Sequence, residues 1–550
     1  MMDVGLDDLG DIPEPDDDAP GIAILDSGMT SAHPLLAPAV GEATAIPNAL
    51  GDGTDGNGHG TMVSGLALYG DVQACIQNRS FVPTLRLFSA RVLNDQLVFD
   101  NEKLITSQMQ DAITYFKDTY NCRVFNLSLG DDRQPYDGGK VSPWASILDT
   151  LARDLDIVIV VSVGNYRHYL QDGVSVDSLL TDYPKYLLSE NAKVIEPATG
   201  AIVLSVGALA ESADIPPGTA SESVSFRAIA QPKEPSPFTR SGPGIGGGIK
   251  PELCDFGGNF AFDGSFQPNQ ANKAVRTSLR SCSIVSFNHE YLKRLFTTDN
   301  GTSFAAPRVA HLAAKIFGVY PDASANLVRA LLASSASIPE EAERCLSSCE
   351  KNAPLMVCGY GLPDFDHAQG SDRNRVVLYA ETPIEHDNFH VYEVPIPSEF
   401  LNTKGERSIS VSLAFDPPVR HSRFDYLGVN MSFRLIRGQN VYEVVEVFRK
   451  RTKDEDPVDN LAQSSNCKMV PGPNLREGGT LQRADFVMKR NPMYDYGDTY
   501  YLVVRCERKW ARDEHGPQRY AVVVTIKHAE AINIYSRIQQ RIQARVRARG

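Results

Sequence analysis

Short apolar runs recur along the first part of the chain, at Gly21–Leu25, Leu85–Leu93, Val124–Leu129, Ile157–Val163 and Ile202–Val206. A run without alternation suits a strand buried on both faces, because neither face meets water. Between the runs lie stretches of helical character, chiefly Glu102–Thr119 and Pro143–Asp154. Two more helices are expected at Thr302–Tyr320, stopped by Pro321, and at Ala325–Ser335. Strand and helix in alternation predict an α/β domain, a parallel sheet sandwiched by helices. Tyr166–Glu196 reads as an insertion beside that sheet, and 208–300, rich in Gly, Pro and Ser, as irregular.

The period changes near residue 370. Ile409, Val411, Leu413 and Phe415 alternate with Ser408, Ser410 and Ser412, and the stretches from Val429 and from Tyr520 alternate likewise. Period two marks half-buried strands, so 375–528 is predicted to be a β-sandwich, a jelly-roll-like module. The expected organisation is a flexible acidic leader over 1–20, an α/β domain over 21–366, the sandwich over 375–528 and a tail over 529–550. In that tail Ile534, Ile538, Ile542 and Val546 recur every four residues, as do Arg537, Arg541, Arg545 and Arg549. Both series on one helix predict an apolar ridge beside a basic one.

Charge narrows the function classes. The formal net charge is −14, from 54 Lys and Arg against 68 Asp and Glu, which argues against nucleic-acid binding by the chain as a whole. Eight of the acids lie in residues 1–20, where there is no base, whereas 536–550 holds five arginines and no acid. The acidic start lacks the basic and apolar regions of a secretory signal. No apolar run reaches the ~18 residues of a membrane span. Nine cysteines, odd in number and scattered, suit a reducing compartment. A cytoplasmic protein is the expectation, and a glycan on the sequons at Asn126 or Asn300 would obstruct the site proposed next.

Three motifs each set a reactive residue among glycines: Asp26-Ser27-Gly28 after the first run, Gly58-His59-Gly60-Thr61 at a helix start, and Gly301-Thr302-Ser303-Phe304-Ala305-Ala306-Pro307 at another. A serine hydroxyl is a weak nucleophile until an imidazole takes its proton, and the imidazole needs a carboxylate to hold its tautomer. His59 is the candidate base, Asp26 its partner and Ser303 the nucleophile. The order Asp, His, Ser is one of three unrelated chain orders for this chemistry. Asn165, in Ser162-Val163-Gly164-Asn165, and the Ser303 N–H are candidate oxyanion donors. Pro307 has no N–H, so the Ser303 carbonyl loses its helical partner and the helix is expected to distort there. Activity is expected to rise with pH through a histidine near its ordinary ~6.5.

These motifs together resemble the subtilisin-like serine peptidases, the subtilases, over about residues 21–366. His33-Pro34-Leu35, Phe238–Pro243 and Lys250-Pro251-Glu252-Leu253 are similar to further family segments. The resemblance implies a serine endopeptidase working through an acyl-enzyme on protein or peptide substrates. Ser128-Leu129-Gly130 would pair with the substrate backbone and form one wall of the S1 pocket, with Ser162, Val163 and Gly164 as the other. Met62 stands where many members carry a second histidine, and Cys254–Gly258 replaces the usual Ala-Pro-Gly. Only twenty residues precede the first strand, so the resemblance is to intracellular members lacking a large propeptide.

No cofactor is expected and no metal site is assigned, with structural calcium left open. Members often bind structural calcium, but Asp52, Asp55 and Asn57 do not make an EF-hand loop, and Cys345, Cys349, Cys358 and His367 fit no common zinc spacing. His33 and His311 read as structural histidines. A second function class stays open: an interaction scaffold or partner-gated effector, in which the sandwich and basic tail bind a regulatory protein and proteolysis is secondary.

Overall fold

The computed structural model describes residues 4–215, 225–372, 374–396, 400–401, 403–449, 465–488, 497–529 and 544–549. The chain divides into two compact units. The first takes residues up to 245, 249–322 and 336–363; the second takes 246–248, 323–335 and the chain from 364 onward.

The first unit is built on seven strands: β1 (Gly21–Asp26), β2 (Val40–Ala45), β3 (Arg86–Arg91), β4 (Val124–Leu127), β5 (Val158–Ser162), β6 (Leu204–Leu209) and β7 (Leu253–Phe256). They lie in the order β7-β6-β5-β4-β1-β3-β2, and every neighbouring pair is parallel. The apolar runs become its central strands: β4 and β5 are buried at every residue. Helices α1 (His59–Tyr69), α2 (Ile105–Tyr120), α3 (Pro143–Asp154) and α4 (Thr302–Val319) flank the sheet. This is the subtilisin-like α/β architecture the sequence predicts.

Strand order explains where a site can form. The chain builds β2 and β3 on one side of β1, then crosses to β4 on the other. At such a reversal the loops leaving the carboxyl ends of neighbouring strands part in opposite directions and leave a crevice. Asp26 ends β1, Ser128–Gly130 follows β4, and Gly164 and Asn165 follow β5. The insertion is packed rather than loose: Tyr166, Tyr186 and Leu187 share a buried cluster with Cys254 and Val357. In the leader, the Pro15 carbonyl accepts from Arg86 at 3.4 Å.

The second unit has two four-stranded sheets around one core. One is ordered β8-β14-β10-β12 and the other β11-β13-β9-β15, with β8 (Arg375–Ile384), β9 (Asn388–Pro395), β10 (Arg407–Phe415), β11 (Val429–Ile436), β12 (Leu481–Met488), β13 (Thr499–Arg508), β14 (Gln518–His528) and β15 (Ala544–Arg549). All their pairings are antiparallel. Leu378, Val411 and Val524 of the first sheet meet Met431, Phe433 and Leu502 of the second in a single cluster.

Three expectations change here. Ser410 and Ser412, expected to face water, are buried, because α5 (Ala325–Ser335) covers their face. Its Arg329 donates to the Phe415 carbonyl at 3.2 Å and to Thr480 Oγ1 at 2.7 Å. That helix therefore groups with the sandwich, although 21–366 assigned it to the α/β domain. The tail is not helical over Ala544–Arg549, which pairs with β9 as β15; the rest of the proposed helix, 530–543, lies outside the described residues. Ala544–Arg549 alternates small or apolar residues with arginine, so period two fits it as well as period four. The free edge of β9 supplied backbone partners that no helix needs.

Candidate active site

Asp26 is wholly buried at the end of β1. Its Oδ1 accepts the Ser27 N–H at 2.8 Å and meets His59 Nδ1 at 2.7 Å. A carboxylate only accepts, so Nδ1 carries the proton and Nε2 keeps its lone pair. The His59 side chain is 19% exposed. Burial works against its charged form. The Asp26 carboxylate, by charge and hydrogen bond, and the charges of Asp55 and Asp299 outweigh that, so His59 stands above 6.5. The expected ordinary value is thus corrected upward.

The loop that delivers His59 is held by Asp55. Its Oδ1 accepts from Ser27 Oγ at 2.9 Å, the Asn57 N–H at 3.0 Å and the Gly58 N–H at 2.8 Å. Its Oδ2 accepts from the Thr61 N–H at 2.8 Å and Thr61 Oγ1 at 2.7 Å. One carboxylate thereby satisfies orphan donors at the start of α1. Gly60 must lack a side chain, since a Cβ there would lie 2.1 Å from the Gly28 carbonyl oxygen. Gly58 adopts φ +100°, a conformation that disfavours any side chain.

Ser303 lies in the first turn of α4, so its N–H is among the four that have no acceptor within the helix. Its Oγ donates to the Ser128 carbonyl at 3.2 Å. The Ser303 carbonyl, deprived of its helical donor by Pro307, accepts instead from Ser128 Oγ at 2.8 Å, and Asn126 Nδ2 donates to that Oγ at 3.0 Å. The proline thus frees a carbonyl that ties the serine to the wall opposite. Asn165 Oδ1 accepts the Thr302 N–H at 3.0 Å and Thr302 Oγ1 at 3.3 Å. This assigns the amide: the oxygen is engaged, and Nδ2 is the group left to donate.

His59, Ser128, Leu129, Gly130, Ser162, Gly164, Asn165 and Ser303 line one cleft of about 600 Å³. Asp26 stands behind His59. Val163 is the exception among the proposed substrate contacts: it is wholly buried, its N–H donates to Val206, and its carbonyl accepts from Ile195. Successive side chains of an extended segment point to opposite faces, so the cleft wall is made by Ser162 and Gly164.

Asp55, Thr302, Asp299 and Ile195 also shape the site, and sequence alone assigned none of them a role in it. Asp55 and Thr302 stood inside or beside the motifs, an acid four residues before the histidine and a hydroxyl directly before the serine. Asp299 lines the cleft, and burial raises its carboxyl above the usual range against the opposing Asn300 N–H and the charge of His59. Ile195 carries no motif signal.

His33 and His311 are structural, as read. His33 Nδ1 accepts the Leu35 N–H while Nε2 faces the Leu295 carbonyl at 3.0 Å, and His311 Nδ1 faces the Ala67 carbonyl at 3.0 Å. Burial lowers each to about 4. Among the described residues no three His, Cys, Asp or Glu gather as a metal site.

The sequence model of the Subtilase family matches residues 17–361. The chain belongs to the subtilase family. An uncharacterized protein, y4bN of Sinorhizobium fredii (strain NBRC 101917 / NGR234), is 45% identical to this subtilase over 438 residues, 80% of this chain and 100% of that one. Among solved structures, that of a lanthipeptide protease has a TM-score of 0.40 at 19% identity, covering 64% of this subtilase and 88% of the other chain. Membership supports serine peptidase activity. No helix among the described residues is long and apolar enough to cross a membrane.

Proposed function

We propose that this subtilase is a serine endopeptidase in which Ser303 is the nucleophile, His59 the general base and acid, and Asp26 the residue that orients His59. The 2.7 Å contact between His59 Nδ1 and Asp26, in the cleft that holds Ser303, carries the reading. A substrate strand laid along Ser128–Gly130 would offer backbone N–H groups to that edge. An N–H reaching the Ser128 carbonyl displaces the Ser303 hydroxyl now resting there and frees it to turn toward His59 Nε2. Ser303 Oγ then bonds to the peptide carbonyl carbon as its proton passes to Nε2. The oxyanion is stabilised by Asn165 Nδ2 and the Ser303 N–H. Collapse expels the amine, which takes the proton from His59 and leaves an acyl-enzyme on Ser303. Water, deprotonated by the same histidine, hydrolyses that ester. Nine unpaired cysteines support a reducing compartment as the place of action.

A fluorophosphonate probe tests the nucleophile. Labelling of the wild type is expected to map to Ser303, and Ser303→Ala should lose it while keeping its circular dichroism and Tm. Equal labelling of that variant would remove Ser303 from the role.

A further inference from the structure

We infer that Ile195 closes the pocket for the substrate residue on the acyl side of the scissile bond, so that this subtilase cleaves after Gly, Ala or Ser. The inference rests on the catalytic reading above. That residue's carbonyl must sit between Ser303 Oγ and Asn165 Nδ2, and its N–H must reach the Ser128 carbonyl. Its side chain is then directed between the walls Ser128–Gly130 and Ser162–Gly164.

Ile195 occupies that gap. A Cβ built on Gly130 would come within 3.0 Å of Ile195 Cδ1, and one built on Gly164 within 2.3 Å of the same methyl. A single methyl group therefore touches both walls. Ile195 lines the cleft, so a substrate side chain directed there would meet it, and at 3% exposure it is packed tightly between its neighbours.

The plug is held firmly. The Ile195 N–H donates to the Val163 carbonyl at 3.4 Å, and its own carbonyl accepts the Ala198 N–H at 2.9 Å. It pairs with Pro135 in the short ladder of Asp131–Pro135 with Ile195–Glu196. A β-branched side chain on a bonded backbone has few rotamers to retreat into. The walls are fixed as well: a Cβ on Gly130 would also meet the Glu196 carbonyl oxygen at 2.9 Å, and one on Gly164 would meet Arg240 Cδ at 3.4 Å. Hydrophobic pockets discriminate by roughly 10–200-fold for a single methylene, so a side chain of Leu or Phe size should be refused by at least about tenfold.

The test is a peptide library varied only at that position, read as kcat/KM on the full-length protein, with fluorophosphonate labelling in parallel. Wild type should prefer Ala, Ser or Gly over Leu, Met and Phe by about tenfold or more. The series Ile195→Val, Ile195→Ala, Ile195→Gly should shift the preference stepwise toward the larger residues. A labelled wild type that cleaves after Leu or Phe as readily as after Ala overturns the plug and leaves the nucleophile standing. A labelled Ile195→Gly with an unchanged profile does the same. A wild type that neither labels nor cleaves overturns the catalytic reading, and this one with it.

Discussion

Two carboxylates with different duties decide how His59 behaves. Asp26 holds its proton and charge; Asp55 holds the loop. As the proposed base, His59 must be neutral to accept a proton, so kcat/KM should rise with pH through an apparent pKa above 6.5, the direction in which Asp26, Asp55 and Asp299 drive it. Asp26→Asn should lower kcat by roughly 10⁴ through the wrong tautomer and shift the remaining profile downward; a profile centred below 6.5 in the wild type would contradict this. Asp55→Ala strands several buried donors at ~1–3 kcal/mol each. Its expected cost is about 3 kcal/mol or more in denaturant unfolding, with activity falling as the His59 loop loosens. Pro307 shows how a residue that weakens a helix can serve a site: the hydrogen bond it removes is replaced by one to Ser128.

At the level of elements, the loop between β1 and β2 and the helix α4 each carry a buried histidine that must stay neutral. His33 and His311 titrate near 4 in the fold and near 6.5 when unfolded. The native state thus binds fewer protons between those values. Their contribution to stability is complete above about 6.5 and is lost as pH falls toward 4. Tm measured from pH 7 to 4 should drop, and His33→Gln or His311→Gln should flatten that slope even where it lowers the plateau. An unchanged slope would mean that neither histidine is neutral in the fold. The same elements show what can be read from periodicity. β1, β4 and β5 were legible because strands buried on both faces must be apolar throughout. β15 was not, because six alternating residues satisfy two periods and only an available sheet edge chooses between them.

For the whole molecule, the informative segment is 323–335. It precedes the last part of the first unit in sequence yet groups with the second. Leu327, Val328, Leu331 and Leu332 of α5 are buried, and Arg483 of β12 donates to the Ala333 carbonyl at 2.8 Å. Cutting the chain at 366, where the sequence alone would divide it, should leave α5 without its sheet and the sheet without its cover. Both fragments are expected to bind a hydrophobic dye and aggregate, as large exposed apolar patches do. Two soluble, monomeric fragments would refute the grouping.

The candidate reacting types and their order were legible in the sequence itself. Proton transfer, tautomer control and oxyanion binding admit few side chains, and glycines must clear the approaches, so Asp26, His59, Asn165 and Ser303 could be proposed for those roles from sequence. The strands came with them, since burial on two faces leaves few residues to choose from. The tertiary structure alone decided what lies between those groups. That Ile195 reaches both Gly130 and Gly164, that Val163 turns inward, and that Asp55 is joined to Ser27 depend on contacts between segments far apart in the chain. No local pattern encodes such contacts, because each member looks ordinary in its own stretch of sequence.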